Sequence, residues 1–209
     1  MRGSLLEAWR RFSIHPLVRP LTERRILLQW QLAGSPIPPP PLVKHSVIKD
    51  YQRRFGPRVF VETGTFAGDT IDAVADRFDR VYSIELDPLW HRRAVERFKD
   101  RPTVTLLQGD SGVRLREIVA ALTEPALFWL DAHYSGPMTS RGTLDSPIVS
   151  ELDTIRAHPV RGHVVLIDDM RDFTGTGGYP TVAAVVEWIR RADPAAVVEV
   201  RDDILRWHA

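Results

Sequence analysis

Five times along this chain a short run of β-branched and aromatic residues ends at a carboxylate and gives way to a helical stretch. The runs are RVFVET (58–63), RVYSIEL (80–86), TVTLLQG (103–109), ALFWLDA (126–132) and HVVLIDD (163–169). Helical periodicity follows them over 69–78, 88–99, 112–122, 146–157 and 181–192. Strands that are apolar throughout, each followed by an amphipathic helix, predict a parallel sheet covered on both faces. The C-terminal AAVVEVRDDILRWHA breaks this rhythm. Its two strand-like runs flank Asp202-Asp203, a turn pair that leaves no room for a helix. The expected fold is therefore α/β: a Rossmann-like, doubly wound sheet of seven strands, mostly parallel, with a C-terminal antiparallel β-hairpin.

Ligands of such sheets sit outside the carboxyl ends of the strands. Those ends carry Glu62-Thr63-Gly64, Glu85-Leu86-Asp87, Gly109-Asp110-Ser111, Asp131-Ala132-His133 and Asp168-Asp169. Solvation alone would scatter acids over helix faces. Here every strand brings one to the same edge, which marks a site.

The N-terminal residues differ from the rest. Residues 1–33 carry six arginines against two glutamates, and Leu5, Leu6, Trp9 and Phe12 recur at helical spacing. His15-Pro16 and Arg19-Pro20 divide the segment into two short helices. SPIPPPP (35–41) reads as a stiff spacer. The division expected is thus a helical arm and proline-rich linker over 1–41 and one domain over 42–209. The arm reads as a cap on the core or on a second copy of the chain, which would make a homo-oligomer. A basic amphipathic surface for a membrane or an acidic partner is the alternative.

A net charge of +1 gives no global pull toward nucleic acid. The absence of cysteine excludes disulfides, thiolate nucleophiles and thiolate metal sites. No apolar run approaches the roughly 18 residues of a membrane span. Glu7, Trp9, Arg10 and Arg11 interrupt any signal-peptide core, so a cytoplasmic protein is expected.

The first loop, ETGTFAG (62–68), has Gly64 to turn the chain and Gly68 to let the next helix begin close to a ligand. It lacks the G-x-G-x-x-G of a dinucleotide loop. Glu62 and Asp69 flank it and would repel a diphosphate, but they suit a ligand with an amino group. Glu85 is placed to accept hydrogen bonds from ribose hydroxyls. Asp110, with Ser111 beside it, is placed for an adenine amino group. Together they describe a nucleoside site without a phosphate cradle.

In this order and spacing, VETGTFAG, YSIELD, LLQGDS and FWLDAHYSG resemble the successive motifs of class I S-adenosylmethionine-dependent methyltransferases. The resemblance covers about Val43 to Ala209. It implies a cofactor set of Glu62, Thr63, Gly64, Thr65, Phe66, Gly68, Glu85, Asp110, Ser111 and Asp131. In that set the loop faces the methionine part, Glu62 lies near its amino group, Glu85 holds the ribose and Asp110 the adenine.

Adjacent strand ends should also bring Asp131, Asp168 and Asp169 around one point. Three close carboxylates repel unless a cation intervenes, and hard divalent ions such as magnesium take all-oxygen sites. This arrangement is similar to that of bacterial metal-dependent O-methyltransferases acting on antibiotic sugars and glycans, in which these acids bind magnesium. Asp131 is read as both metal ligand and base. Members of that group commonly have a second acid where this chain has His133, whose role as base, ligand or orienting partner stays open. Tyr134, Arg141, Arg171 and Tyr179, on two long glycine-containing loops, are candidate acceptor contacts. The reading is magnesium-assisted O-methylation of a small hydroxylated or sugar acceptor. A nicotinamide-dependent oxidoreductase would lack its glycine loop and a tyrosine-lysine pair. A methyltransferase-like module serving only to bind is disfavoured by the complete set of acids.

Overall fold

The computed structural model describes residues 19–131 and 147–209. Its strands are β1 (Val59–Thr63), β2 (Arg80–Glu85), β3 (Val104–Gln108), β4 (Ala126–Leu130), β5 (Val164–Ile167), β6 (Val197–Arg201) and β7 (Ile204–His208). They form one sheet in the order β3-β2-β1-β4-β5-β7-β6. The first five are parallel, with Val59 level with Arg80 on one side and with Ala126 on the other. Strand β7 runs antiparallel to both β5 and β6, closing the sheet on the expected hairpin. Asp202 and Asp203 turn it with φ of 53° and 64°, as a tight two-residue turn between twisted strands requires.

Strand alternation gives the sheet two faces. Val59, Val61, Phe128, Leu130, Val165 and Ile167 pack beneath α5 (Ser111–Ala121), α6 (Ile148–Ala157) and α7 (Val182–Ala192). Phe60, Leu127, Trp129 and Leu166 point the other way, toward α2 (Pro41–Phe55), α3 (Asp69–Val74) and α4 (Pro88–Phe98). The acids inherit this parity. Glu62 and Glu85 fall two residues on along the α2 face, as do Asp131 and Asp168 just past β4 and β5. The chain order reverses between β1 and β4, so the crevice of the sheet opens among these same residues.

Helix α2 was not expected from the strand–helix rhythm. Pro41 starts it, where a missing N–H costs nothing, and Gly56 ends it in the left-handed region at φ 68°. Val43, Ile48 and Tyr51 are buried against the sheet. Upstream, α1 (Arg19–Leu32) begins at the Arg19-Pro20 pair that was read as a break. Its Leu28 and Leu32 are exposed. The helix expected over 69–78 is shorter: α3 tightens into a 3₁₀ turn at Ala75–Arg77. Among the described residues no helix is long and apolar enough to cross a membrane.

Candidate active site

Beyond β1 the chain turns through Gly64 at φ 89° and Phe66 at φ 46°, then enters α3 at Gly68. A side chain at Gly68 would put its first carbon 2.6 Å from the Phe98 ring, so glycine is needed for the loop to lie this close to α4. The Phe66 amide donates to Glu85 Oε2 at 2.6 Å, and the Asp87 amide to Oε1 at 2.8 Å. Loop and acid are thereby fixed to one another. Each oxygen keeps a second lone pair for a ligand hydroxyl. Burial raises the Glu85 pKa, and the two amides draw it back. Phe66 packs on Trp90, ring centres 4.1 Å apart and planes tilted by 43°.

Glu62 is buried at 1 % exposure. The Ser83 hydroxyl donates to its Oε2 at 2.5 Å, and Thr65 Oγ1 lies 2.5 Å behind Ser83 Oγ. Burial pushes the Glu62 carboxyl up to about 8; the hydroxyls of Ser83 and Thr70 oppose this, and the charges of Asp131 and Glu85 reinforce it. Thr63 is buried too, and its hydroxyl accepts from the Asp131 amide at 3.3 Å, which ties β1 to the end of β4. Asp110 caps α5, accepting from the Gly112 amide at 2.9 Å, with Ser111 buried beside it.

Past β4 and β5, Asp131, Asp168 and Asp169 each place one oxygen within 4.8 Å of the others. The sequence brought these three together as expected. It missed the cation among them. Lys44, on the first turn of α2, donates to Asp168 Oδ2 at 2.5 Å and to Asp169 Oδ1 at 2.8 Å. The Asp169 amide takes the other oxygen of Asp168 at 2.8 Å. Burial alone would favour neutral lysine, yet Asp168, Asp131 and Asp169 together raise its pKa and hold it protonated. Asp168 is pushed up as well, first by burial and then by the charge of Asp131, because the acids outnumber the ammonium. Asp169 sits in the left-handed region at φ 54°, a conformation few residues other than glycine adopt and one that collects at functional sites.

Arg171 braces this cluster from below. It donates to Asp169 Oδ1 at 2.7 Å and also pairs with Asp203 of the hairpin turn. Its amide donates to Asp203 Oδ1 at 2.7 Å. Tyr179 stacks edge-on against Phe173 at 5.6 Å and packs on the core. Of the candidate acceptor contacts, Arg171 is thus shared between two carboxylates and Tyr179 has its ring packed on Phe173. His133, Tyr134 and Arg141 lie outside the described residues. Among the residues that sequence reasoning missed, Ser83 carried a signal: it shares the parity of Glu85 on β2. Lys44 carried only its place after a proline run.

The three-carboxylate set passes a chemical test for magnesium: it is all oxygen, closely spaced and held by rigid strand ends. Lys44 engages two of its members, so the ion would find its ligands already shared.

No family model matches the chain, and no curated protein matches it by sequence. Solved structures do. An O-methyltransferase from Bacillus cereus in complex with S-adenosylhomocysteine is 17% identical, with 90% of each chain covered and a TM-score of 0.59. The S-adenosylhomocysteine-bound methyltransferase PaMTH1 of Podospora anserina is 16% identical over 99% of each chain, at 0.58. The O-methyltransferase TomG of Streptomyces achromogenes, bound to S-adenosylmethionine, is 15% identical over 88% of this chain and 87% of its own, at 0.55. At such identities the likeness is one of fold. The chain has the fold of the class I S-adenosylmethionine-dependent methyltransferases.

Proposed function

We propose that this protein is an S-adenosylmethionine-dependent methyltransferase that transfers to the oxygen of a small hydroxylated acceptor, a sugar among them. The observation that carries the reading is the link between the Gly64–Gly68 loop and Glu85, made by the Phe66 amide. It sets an acid with open lone pairs against a glycine loop that lacks a phosphate cradle, a pairing that suits ribose hydroxyls. Solved relatives in fold that hold S-adenosylmethionine or its product support the same choice.

When bound, S-adenosylmethionine supplies a methyl group on a positively charged sulfur. Glu85 would hold the ribose, Asp110 the adenine, and Glu62 the amino group. Asp131, a member of the carboxylate cluster, would orient an acceptor hydroxyl and take its proton. The cofactor would supply the methyl carbon and leave with the electron pair on sulfur, while Asp131 would hold the deprotonated acceptor oxygen toward that carbon. Magnesium, held by Asp131, Asp168 and Asp169, would lower the pKa of the acceptor hydroxyl. The acidic residues do the positioning in either case.

Labelled S-adenosylmethionine incubated with a panel of sugars and phenols tests this. Label should pass to a hydroxyl, with EDTA suppressing the transfer and added magnesium restoring it. Full transfer in EDTA would remove the metal from the proposal, and binding of NADH in place of S-adenosylhomocysteine would remove the transferase itself.

A further inference from the structure

Both oxygens of Asp168 are engaged, Oδ1 by the Asp169 amide and Oδ2 by Lys44, and its side chain has no exposure to solvent. Each Asp168 oxygen keeps one lone pair, so a divalent ion can reach Asp168 only beside these partners, the Lys44 ammonium among them. The amide is fixed by the backbone. Lys44 is not: its ammonium rides on a flexible four-carbon stem, and its side chain is 19% exposed, so a way out to water exists. An ammonium and a divalent ion drawing on the same carboxylates also repel each other.

We infer that Lys44 is a tethered cation that occupies the Asp131–Asp168–Asp169 cluster in competition with a divalent metal ion. With the ion away, Lys44 balances the buried acids and keeps them together. As the ion enters, Lys44 swings out toward solvent. Metal affinity is therefore set below what three carboxylates alone would give, and the site loads only where the ion is abundant. Arg171 differs from Lys44 in this respect, because Asp203 anchors it on the far side of Asp169. The inference rests on the magnesium part of the function proposed above.

The test is Mn2+ binding to the full chain, followed by the paramagnetic resonance signal of the free ion. Lys44→Gln should bind Mn2+ roughly tenfold or more tightly than the wild type. Equal or weaker binding by a folded Lys44→Gln overturns the inference. Should that variant fail to fold, the wild type carries the test through acetylation of Lys44, read by peptide mass spectrometry. Acetylation that speeds up as Mn2+ is added supports displacement; an unchanged or slower rate overturns it. Because the readout is metal binding and lysine exposure, a chain that takes up S-adenosylhomocysteine yet fails this test loses only the inference. A chain that takes up no S-adenosylhomocysteine loses the transferase reading, whatever its metal does.

Discussion

At the ends of β1, β2 and β3 the carboxylates accept from neutral donors: Ser83 Oγ on Glu62, the Phe66 and Asp87 amides on Glu85, the Gly112 amide on Asp110. Past β5 the pair Asp168 and Asp169 is held by cations, Lys44 on both and Arg171 on Asp169. The difference separates two kinds of site on one edge. Neutral donors position an acid and bring no charge that would offset its own, so a ligand with hydroxyls or an amino group can meet it. Cations cancel that charge, so the second half takes a new positive partner only by giving one up. All three acids of the first half are served by neighbours on the same or the adjacent strand–loop unit. In the second half Lys44 reaches Asp168 and Asp169 from a helix that precedes the whole sheet.

The largest effect should come from Asp131→Ala. Methyl transfer should fall by roughly 10²–10⁴-fold, the range for loss of a positioned base, while S-adenosylhomocysteine binding by calorimetry changes little. Equal losses in both would merge the two halves that the geometry separates. Glu85→Ala should do the reverse, weakening S-adenosylhomocysteine roughly 10–100-fold through loss of its charge-assisted hydrogen bonds.

A smaller effect concerns stability. Glu62 keeps its proton in the folded chain up to about 8 but loses it near 4.5 when unfolded. Between those values the folded state binds more protons, so this group's contribution to stability falls as pH rises and levels off above about 8. His45 and His163, lowered by burial to about 4, act in the opposite sense: their contribution improves as pH rises from about 4 to 6.5. Above pH 6.5 the decline should therefore come from raised carboxyls alone, Asp168 supplying one share and Glu62 the other. Denaturant melts of Glu62→Gln should lack that share of the decline, and an identical slope in variant and wild type would contradict the buried neutral acid. The smallest effect belongs to the charges outside both sites. Arg191→Ala breaks an exposed i,i+4 pair with Glu187 and should shift the denaturation free energy by less than about 0.5 kcal/mol.

Much of this was legible in the sequence because it is local. Five apolar runs with helical stretches between them dictate a parallel sheet, and Asp202-Asp203 dictates the hairpin. The acids at the strand ends follow from the runs themselves. Their shared face also follows, since Glu62, Ser83, Glu85, Asp131 and Asp168 keep the parity of Phe60, Val81, Trp129 and Leu166. Helix α2 was legible only in part. Val43, Val47 and Tyr51 recur at four-residue spacing, but the proline run before them and the polar residues between them hide the stripe. Lys44 could not be placed at all, because its partners lie 124 and 125 residues away. Nor does a sequence show that Arg171 is spent on Asp203, since that pairing exists only once β7 lies beside β5.

The central claim is that the Gly64–Gly68 loop and Glu85 together hold a nucleoside with an amino-acid tail and no phosphate. Calorimetric titration of the full chain with S-adenosylhomocysteine, run beside NADH, tests it most directly. One S-adenosylhomocysteine should bind per chain, Glu85→Ala should weaken it, and NADH should give no saturable heat. Saturable NADH binding, with none for S-adenosylhomocysteine, would contradict the account.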